Sequence, residues 1–427
     1  MRNGGEIGIQ QDQLGGKMAR RSLKPAGEAR MARVANYTIK GFLYQFNVTL
    51  LAILDSQENS VTTVEGLIED IDIADADQIT AFQCKYHESV DRFVLSIVYE
   101  PILQMMLHFK NNPRHNIAYV LYAHFPNEPD GEKQLTIPEL NRIIDSSDGS
   151  LQKYTSQLKN NFDTGAFHKQ FKLIMGYSYD TTVADVQERF AQNGMEPGDI
   201  DVLVYPNAIT IIGDLSIQKD EAKRKITKAG LLAILRSKRT IAISRWAAAL
   251  KSYSKLLKAK RKQLKANLDK NVRVRHIFLS QGLDQFKDEI VIFIHRYLQK
   301  YHFKPCHLNT PLFCFDCNQQ LFEDICRRLI SKKIKINDGI LVGAFDKQHF
   351  LRDPVTNPSK KIREFDLRIT TLDIAMNILN ENICDDLYLV APHDNLGINP
   401  LDVNVERLAV KNFKEVRYLF WMDSNYE

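Results

Sequence analysis

The stretch that most constrains this chain runs from Val61 to His87, VTTVEGLIEDIDIADADQITAFQCKYH. Its second half alternates with a period of two. Ile71 and Ile73 fall on one face of a strand, and Asp70 and Asp72 fall on the other. Phe82, Cys84 and Tyr86 form the apolar face of a second strand, with Gln83 and Lys85 opposite. The polar run Asp75-Ala76-Asp77-Gln78 reads as the turn between them. A turn centred on Ala76 and Asp77 sets Asp70 opposite Gln83 and Asp72 opposite Ala81, and opposed residues share a face with Cβ atoms about 4.5–5.5 Å apart. The pattern therefore predicts one polar cluster of Asp70, Asp72, Gln83 and Lys85. Oxygen donors beside an ammonium suit a hard cation, Mg²⁺ or Mn²⁺. A solvated hairpin face with charges paired across strands fits the same spacing. The register makes Asp70 the better-placed ligand, and a one-residue slip would bring Asp72 forward instead.

Elements on either side extend the pattern. Ile39, Phe42, Leu43, Phe46, Leu50 and Leu54 repeat at helical spacing and predict a helix over 36–54, capped by Asn36 or Thr38. Glu65 and Glu69 are further acids close to the hairpin. Glu69 alternates to the face away from Asp70. His87 follows Lys85 on the same face, where it closes the strand or touches a phosphate. A second helix is predicted over 89–111, broken near Tyr99 or Glu100 by Pro101. The apolar run IAYVLYAHF, 117–125, reads as a buried strand. The order is helix, three strands, helix, strand.

An acidic residue followed by Q-x-K on the next strand, here Asp70 with FQCKYH, resembles the restriction-like PD-(D/E)xK nucleases in their glutamine-bearing subset. GFLYQF on a helix, VEGLIEDIDI and FQCKYH in that order are similar to the nuclease effectors of bacterial anti-phage systems of the CBASS and Lamassu type. The likeness covers 36–125, under a quarter of the chain. It implies an αβββαβ core with a mixed sheet and metal-dependent hydrolysis of DNA. Asp70, Gln83 and Lys85 would be catalytic, and Asp70, Asp72 and Gln83 would hold Mg²⁺ or Mn²⁺. Gln45, at the position where the first helix gives a polar residue to the site, is accessory, with Glu65 and His87. The likeness also implies control of the activity, with a companion ATPase or another defence-system subunit as partner and a homo-oligomer as assembly.

The remainder of the 427 residues divides by composition. Residues 1–33 read as a mobile extension without the apolar segment of a secretory signal. Residues 34–218 read as the nuclease-like domain, whose IDVLVYPNAITII (200–212) reads as a strand pair. Residues 219–271 read as a basic helical connector, carrying eight Lys or Arg between Lys251 and Lys270 against one acid, Asp269. Lys251, Lys255, Lys258, Arg261, Lys262 and Lys265 are its candidates for phosphate contact, a solvated face being the other reading. Trp246, Leu250, Tyr253 and Leu257 read as one packed stripe.

Residues 272–427 alternate strand and helix as a C-terminal α/β domain for sensing, oligomerisation or partner docking. GILVGAF (339–345) and EVRYLFWM (415–422) are read there as strands. The whole is α/β, and no phosphate-binding glycine fingerprint is present. Cys314 and Cys317, with Cys306 and His307, are a weak zinc pattern, since 314 and 317 fall on opposite faces of a strand. Asp346, His349, Arg352 and Asp353 form a polar loop after a strand end. Six scattered cysteines and the absence of a long apolar run point to a reducing cytoplasm and to no membrane partner. A nucleic-acid-binding or assembly subunit on a nuclease-like scaffold remains the alternative to an enzyme.

Overall fold

The computed structural model describes residues 26–427 apart from 67, 89, 114, 271, 305–308, 358, 360–361, 379–383, 393–402 and 427. It divides into two units, Met1–Lys40 and Gly41–Glu427. Of the first, the described part is the opening of the helix Ala26–Asp55. Most of the expected extension, residues 1–25, and the Cys306 and His307 of the zinc pattern lie outside the described residues. Asn36 and Thr38 sit inside this helix and do not cap it. The preceding AGEARMARVA is made of good helix formers, and these carry the helix back past the expected start.

The hairpin becomes part of a meander. β1 (Val61–Val64), β2 (Ile71–Ala74) and β3 (Ile79–Tyr86) pair antiparallel in succession. The observed register sets Ile71 against Phe82, Asp72 against Ala81 and Ile73 against Thr80. The helix Tyr99–Asn111 then crosses to β4 (Ile117–His124), parallel to β3. Pro101 lies in the first turn of that helix, so the expected break is the helix start. β5 (Gly131–Lys133) and β6 (Phe171–Met175) extend the sheet on the β4 side, and β7 (Lys225–Thr227) closes it beside β1. The result is a seven-stranded mixed sheet in the order β5-β6-β4-β3-β2-β1-β7.

Each face of the sheet carries its own apolar layer. Ile71, Ile73 and Cys84 pack with Leu43, Tyr44, Phe46 and Leu50 of the first helix. Ala81, Tyr119, Leu121 and Ala123 pack on the other face with Ile102, Met105 and Met106. The segment 200–212 is helical, not a strand pair: a π-helical turn over Ile200–Val204 runs into the helix Tyr205–Ser216. Val204, Tyr205, Ala208, Ile209 and Ile212 are buried at a spacing of one and four, and Pro206 falls in the first turn.

The stretch expected as a connector is interleaved with both halves. It supplies β7 to the first sheet, the helix Lys228–Ser237, and the helix Tyr253–Leu268. Trp246 and Leu250 precede that last helix, Trp246 packs edge-on against Phe46, and both join the same apolar layer as Tyr253 and Leu257.

The C-terminal half is built on an all-parallel sheet in the order β10-β15-β9-β8-β16-β17. Its strands are β8 (Arg275–Ser280), β9 (Leu312–Asp316), β10 (Ile336–Asn337), β15 (Leu367–Thr371), β16 (Asp386–Ala391) and β17 (Asn404–Ala409). GILVGAF is not a core strand. It folds into the exposed hairpin of β11 (Ile340–Leu341) and β12 (Ala344–Phe345), and a second small hairpin pairs β13 (Thr356–Asn357) with β14 (Ile362–Arg363). EVRYLFWM falls on the closing helix Phe413–Leu419 and its end. Asn412 caps that helix by accepting from Glu415 N, and Glu415 accepts from Lys411 N in return. Among the described residues no helix is long and apolar enough to cross a membrane.

Candidate active site

The site is assembled where the β1–β2 loop meets the middle of β3. Val64 and Ile71 close the β1–β2 ladder, so Glu65 to Asp70 form the loop between them. Glu65 takes the left-handed backbone conformation at φ 52° and its N–H donates to the Asp70 carbonyl at 2.8 Å. Asp72 fastens the same loop from β2. Its carboxylate accepts from Ile68 N at 3.0 Å and from Glu69 N at 3.2 Å. Both oxygens of Asp72 are thus engaged by backbone donors.

Gly66 explains why the loop can close so tightly. A Cβ there would stand 2.2 Å from Asp72 Oδ2. Gly66→Ala is expected to push that carboxylate off its two backbone donors and cost about 1–3 kcal/mol, as overpacking does. A urea midpoint shifted clearly below that of wild type checks this. An unchanged midpoint would mean that the loop has room the geometry denies.

Asp70 lies just outside β2, and its Oδ2 accepts from Cys84 N at 2.8 Å. β2 begins at Ile71, two residues short of the position opposite Cys84, and the side chain replaces the missing carbonyl. Burial raises the Asp70 carboxyl above its ordinary value, while the Cys84 N–H and the Lys85 ammonium pull it back. The ladder stops at Ile71–Phe82, and Asp70 is tied to β3 through the N–H of Cys84, the residue after Gln83. Gln83 is 7% exposed, and its Oε1 is buried without a hydrogen-bond partner. An orphaned buried acceptor costs about 1–3 kcal/mol, a cost that a cation or a donor would remove. Lys85, two residues on and half-buried, makes no hydrogen bond or salt bridge among the described residues.

The remaining acids gather at the same place. Gln45 Nε2, from the first helix, donates to Glu65 Oε1 at 3.0 Å. Burial raises the Glu65 carboxyl, Asp70 raises it further, and Gln45 and Arg224 oppose this. Glu69 is not on the far face, as strand alternation had suggested. Residues 68–70 form a bend, which suspends the period of two. Glu69 is 9% exposed, and burial, then Asp70 and Asp72, push its carboxyl up to about 8 against the pull of Lys85.

A carboxyl raised in the folded state binds its proton more tightly there than in the unfolded chain. Its stabilising share is therefore complete below the ordinary value of 4.5 and is lost as pH rises through about 8. Wild type stripped of metal is expected to lose a few kcal/mol relative to Glu69→Gln between pH 5 and pH 9. Parallel stability curves for the two proteins across that range would show that Glu69 titrates normally.

The other sequence candidates are placed as follows. His87 stacks on Phe125 with ring centroids 4.8 Å apart, and its N–H bonds the His124 carbonyl just past the end of β3. Burial, then Lys85, lower its pKa. Of the basic candidates, Lys251 pairs with Asp180 and Lys255 with Asp201. Arg261 lies over the Trp421 ring at 4.2 Å, and Lys265 lies over the same ring at 4.6 Å. Lys258 and Lys262 are exposed and make no such pairing among the described residues.

Cys314 is buried in β9, and among the described residues no three His, Cys, Asp or Glu side chains gather as a ready metal cage. The loop at 346–353 is occupied structurally. Asp346 caps a short helix through His349 N, and Arg352 makes a double bond-pair with Glu364. Neither a scan against protein-family models nor a search of curated proteins finds a match to this chain.

Proposed function

We propose that this protein is a metal-dependent DNA endonuclease of the restriction-like kind, held in check as an effector of an anti-phage defence system. The observation that carries the reading is the buried, partnerless Oε1 of Gln83 on the strand that also bears Lys85, with the Asp70 carboxylate bonded to the N–H of the next residue, Cys84. The order of helix, three antiparallel strands, helix and parallel strand supports it.

The donor set fits a hard cation. Asp70 keeps Oδ1 after giving Oδ2 to Cys84 N, and Gln83 offers a neutral oxygen. When bound, Mg²⁺ or Mn²⁺ supplies charge neutralisation at the phosphate and a more acidic water. Asp70 and Gln83 hold it, with Asp72 fixing the loop behind Asp70. Lys85 orients the attacking water and stabilises the charge that builds on the phosphate oxygens as the phosphorus–oxygen bond to the leaving strand end breaks.

A non-catalytic scaffold that binds DNA or a partner is the second reading. It is favoured by the backbone bonds that engage both Asp70 and Asp72. Plasmid DNA incubated with the full chain in Mg²⁺ or in EDTA separates the two. Metal-dependent linearisation or degradation is expected. Salt-sensitive DNA binding without cleavage, in the presence of Mn²⁺ and Mg²⁺, would favour the scaffold. A companion ATPase, a homo-oligomeric assembly and a cytoplasmic setting belong to the same proposal.

A further inference from the structure

We propose that Arg261, Lys265 and Lys300, gathered around the Trp421 ring, form an anchor for the phosphate backbone of duplex DNA. That the anion is DNA rests on the function proposed above.

Three elements meet at this patch. Arg261 and Lys265 come from the helix Tyr253–Leu268, Lys300 from the helix Phe286–Tyr301, and Trp421 from just past the closing helix. Trp421 takes the left-handed conformation at φ 56°. Its N–H bonds the Tyr418 carbonyl at 3.0 Å, and the N–H of Met422 bonds the Arg417 carbonyl at 2.8 Å. This is the helix-ending motif that ordinarily carries glycine. The tryptophan in its place ties its indole to the basic helix, donating from Nε1 to the Arg261 carbonyl at 2.6 Å. The Arg261 guanidinium lies over two rings, 4.1 Å from that of Tyr418 and 4.2 Å from that of Trp421. The Lys265 ammonium is 4.6 Å from the Trp421 ring, and Lys300 donates to the Trp421 carbonyl.

None of the three cations has an acidic partner among the described residues. Asp423, two residues after Trp421, is taken by Arg296 and Arg417 at 2.7 Å each. Ring faces and carbonyls hold the side chains in place but leave their charges unneutralised. The cations therefore press on one another. Burial, then Arg261, lowers the Lys300 pKa, and Arg296 and Lys265 add to this against the pull of Asp269. Lys258 and Lys262 continue the patch along the exposed face of the basic helix, at a spacing of four and three to Lys265. Such a surface is the complement of a duplex, which carries one phosphate charge about every 1.7 Å of its axis. Lys251 and Lys255 do not belong to the anchor, because Asp180 and Asp201 take their charges.

Fluorescence anisotropy of a short labelled duplex in EDTA, repeated over a range of salt concentrations, tests the anchor without requiring cleavage. Lys265→Gln combined with Lys300→Gln is expected to bind at least about 10-fold more weakly than wild type, with a salt slope lower by about two. Lys251→Gln combined with Lys255→Gln removes as many charges, yet should change the affinity by less than about 3-fold because those charges are already paired. All four side chains are exposed, so both variants should melt near the wild-type temperature. Equal losses in the two variants would reduce the attraction to diffuse net charge, and undiminished binding in the first would remove the anchor. Either overturns the proposal. Wild type that binds poly-glutamate and not the duplex gives the patch to an acidic protein and overturns it as well. A protein that holds the duplex through Lys265 and Lys300 but never cuts it keeps the anchor while the nuclease reading fails. Cutting that continues with undiminished binding in the first variant does the reverse.

Discussion

Lys85→Ala is expected to reduce Mg²⁺-dependent cleavage of plasmid DNA by at least about 100-fold while leaving the melting temperature close to that of wild type. The size follows from what the ammonium does in the proposed reaction. Removing one preorganised donor from a site of developing charge typically costs 10²–10³ in rate, about 2.7–4 kcal/mol. Here the group is a full charge, half-buried on β3 and facing the Asp70 and Glu69 carboxyls. The fold should tolerate the loss, because Lys85 makes no hydrogen bond or salt bridge among the described residues and its strand is held on both sides by β2 and β4. Removing its charge also leaves the Asp70 and Glu69 carboxyls without the cation that opposes their rise. Their apparent titration should move further upward in the variant. Single-turnover cleavage with saturating enzyme reads the effect on chemistry apart from DNA binding. Cleavage at the wild-type rate would place the site elsewhere in the chain.

How far such a site could be read from sequence depends on which periodicity governs each residue. Between Ile71 and Tyr86 the chain is an unbroken pair of strands, so alternation placed Gln83, Lys85, Phe82 and Cys84 on their faces, and the turn fixed the register. Glu69 was misassigned because alternation was carried across a bend. The backbone between Glu65 and Asp70 is set by Gly66 and by the Asp72 carboxylate, and neither follows a period. Arg224 gave no local signal. Its bond to the Glu65 carbonyl arises only when β7 pairs with β1, a contact between residues some 160 apart in sequence.

In IDVLVYPNAITII the β-branched residues argued for strands, but burial at helical spacing decided otherwise. Tertiary packing overrode propensity. The closing helix did carry a readable cue, Asn412 followed three residues later by Glu415, and a strand-like alternation after it obscured that cue. The alternating helices and strands of the C-terminal half gave three of its six parallel strands, β8, β9 and β16. β10, β15 and β17 escaped because one is very short and the others carry charged residues that the fold buries, among them Arg368 and Glu406.

Glu406 leads to the largest stability effect expected in this protein. The basic helix Tyr253–Leu268 turns Leu256, Leu257, Leu264 and Leu268 inward, and with them Lys260. The Lys260 and Glu406 side chains are 1% and 4% exposed and form an ion pair between this helix and β17. Gln263 Oε1 accepts a further bond from the ammonium at 3.0 Å. Burial lowers the Lys260 pKa even with the carboxylate beside it. Such a pair adds little net stability over an apolar pair of the same size, but losing one partner leaves the other charge stranded in the interior. Lys260→Met is therefore expected to cost about 3–5 kcal/mol in urea unfolding, and Lys260→Met combined with Glu406→Leu to recover most of that loss. Equal losses in the single and double variants would show that the pair is worth its full attraction, and that a charge pattern and not an apolar seam holds the basic helix to the edge of the parallel sheet. The recovery, if seen, also assigns the outward lysines a separate fate. Lys258 and Lys262 would then face solvent because the apolar seam of Leu256, Leu257, Leu264 and Leu268 fixes the rotation of the helix, and any contact they make with phosphate would follow from that seam.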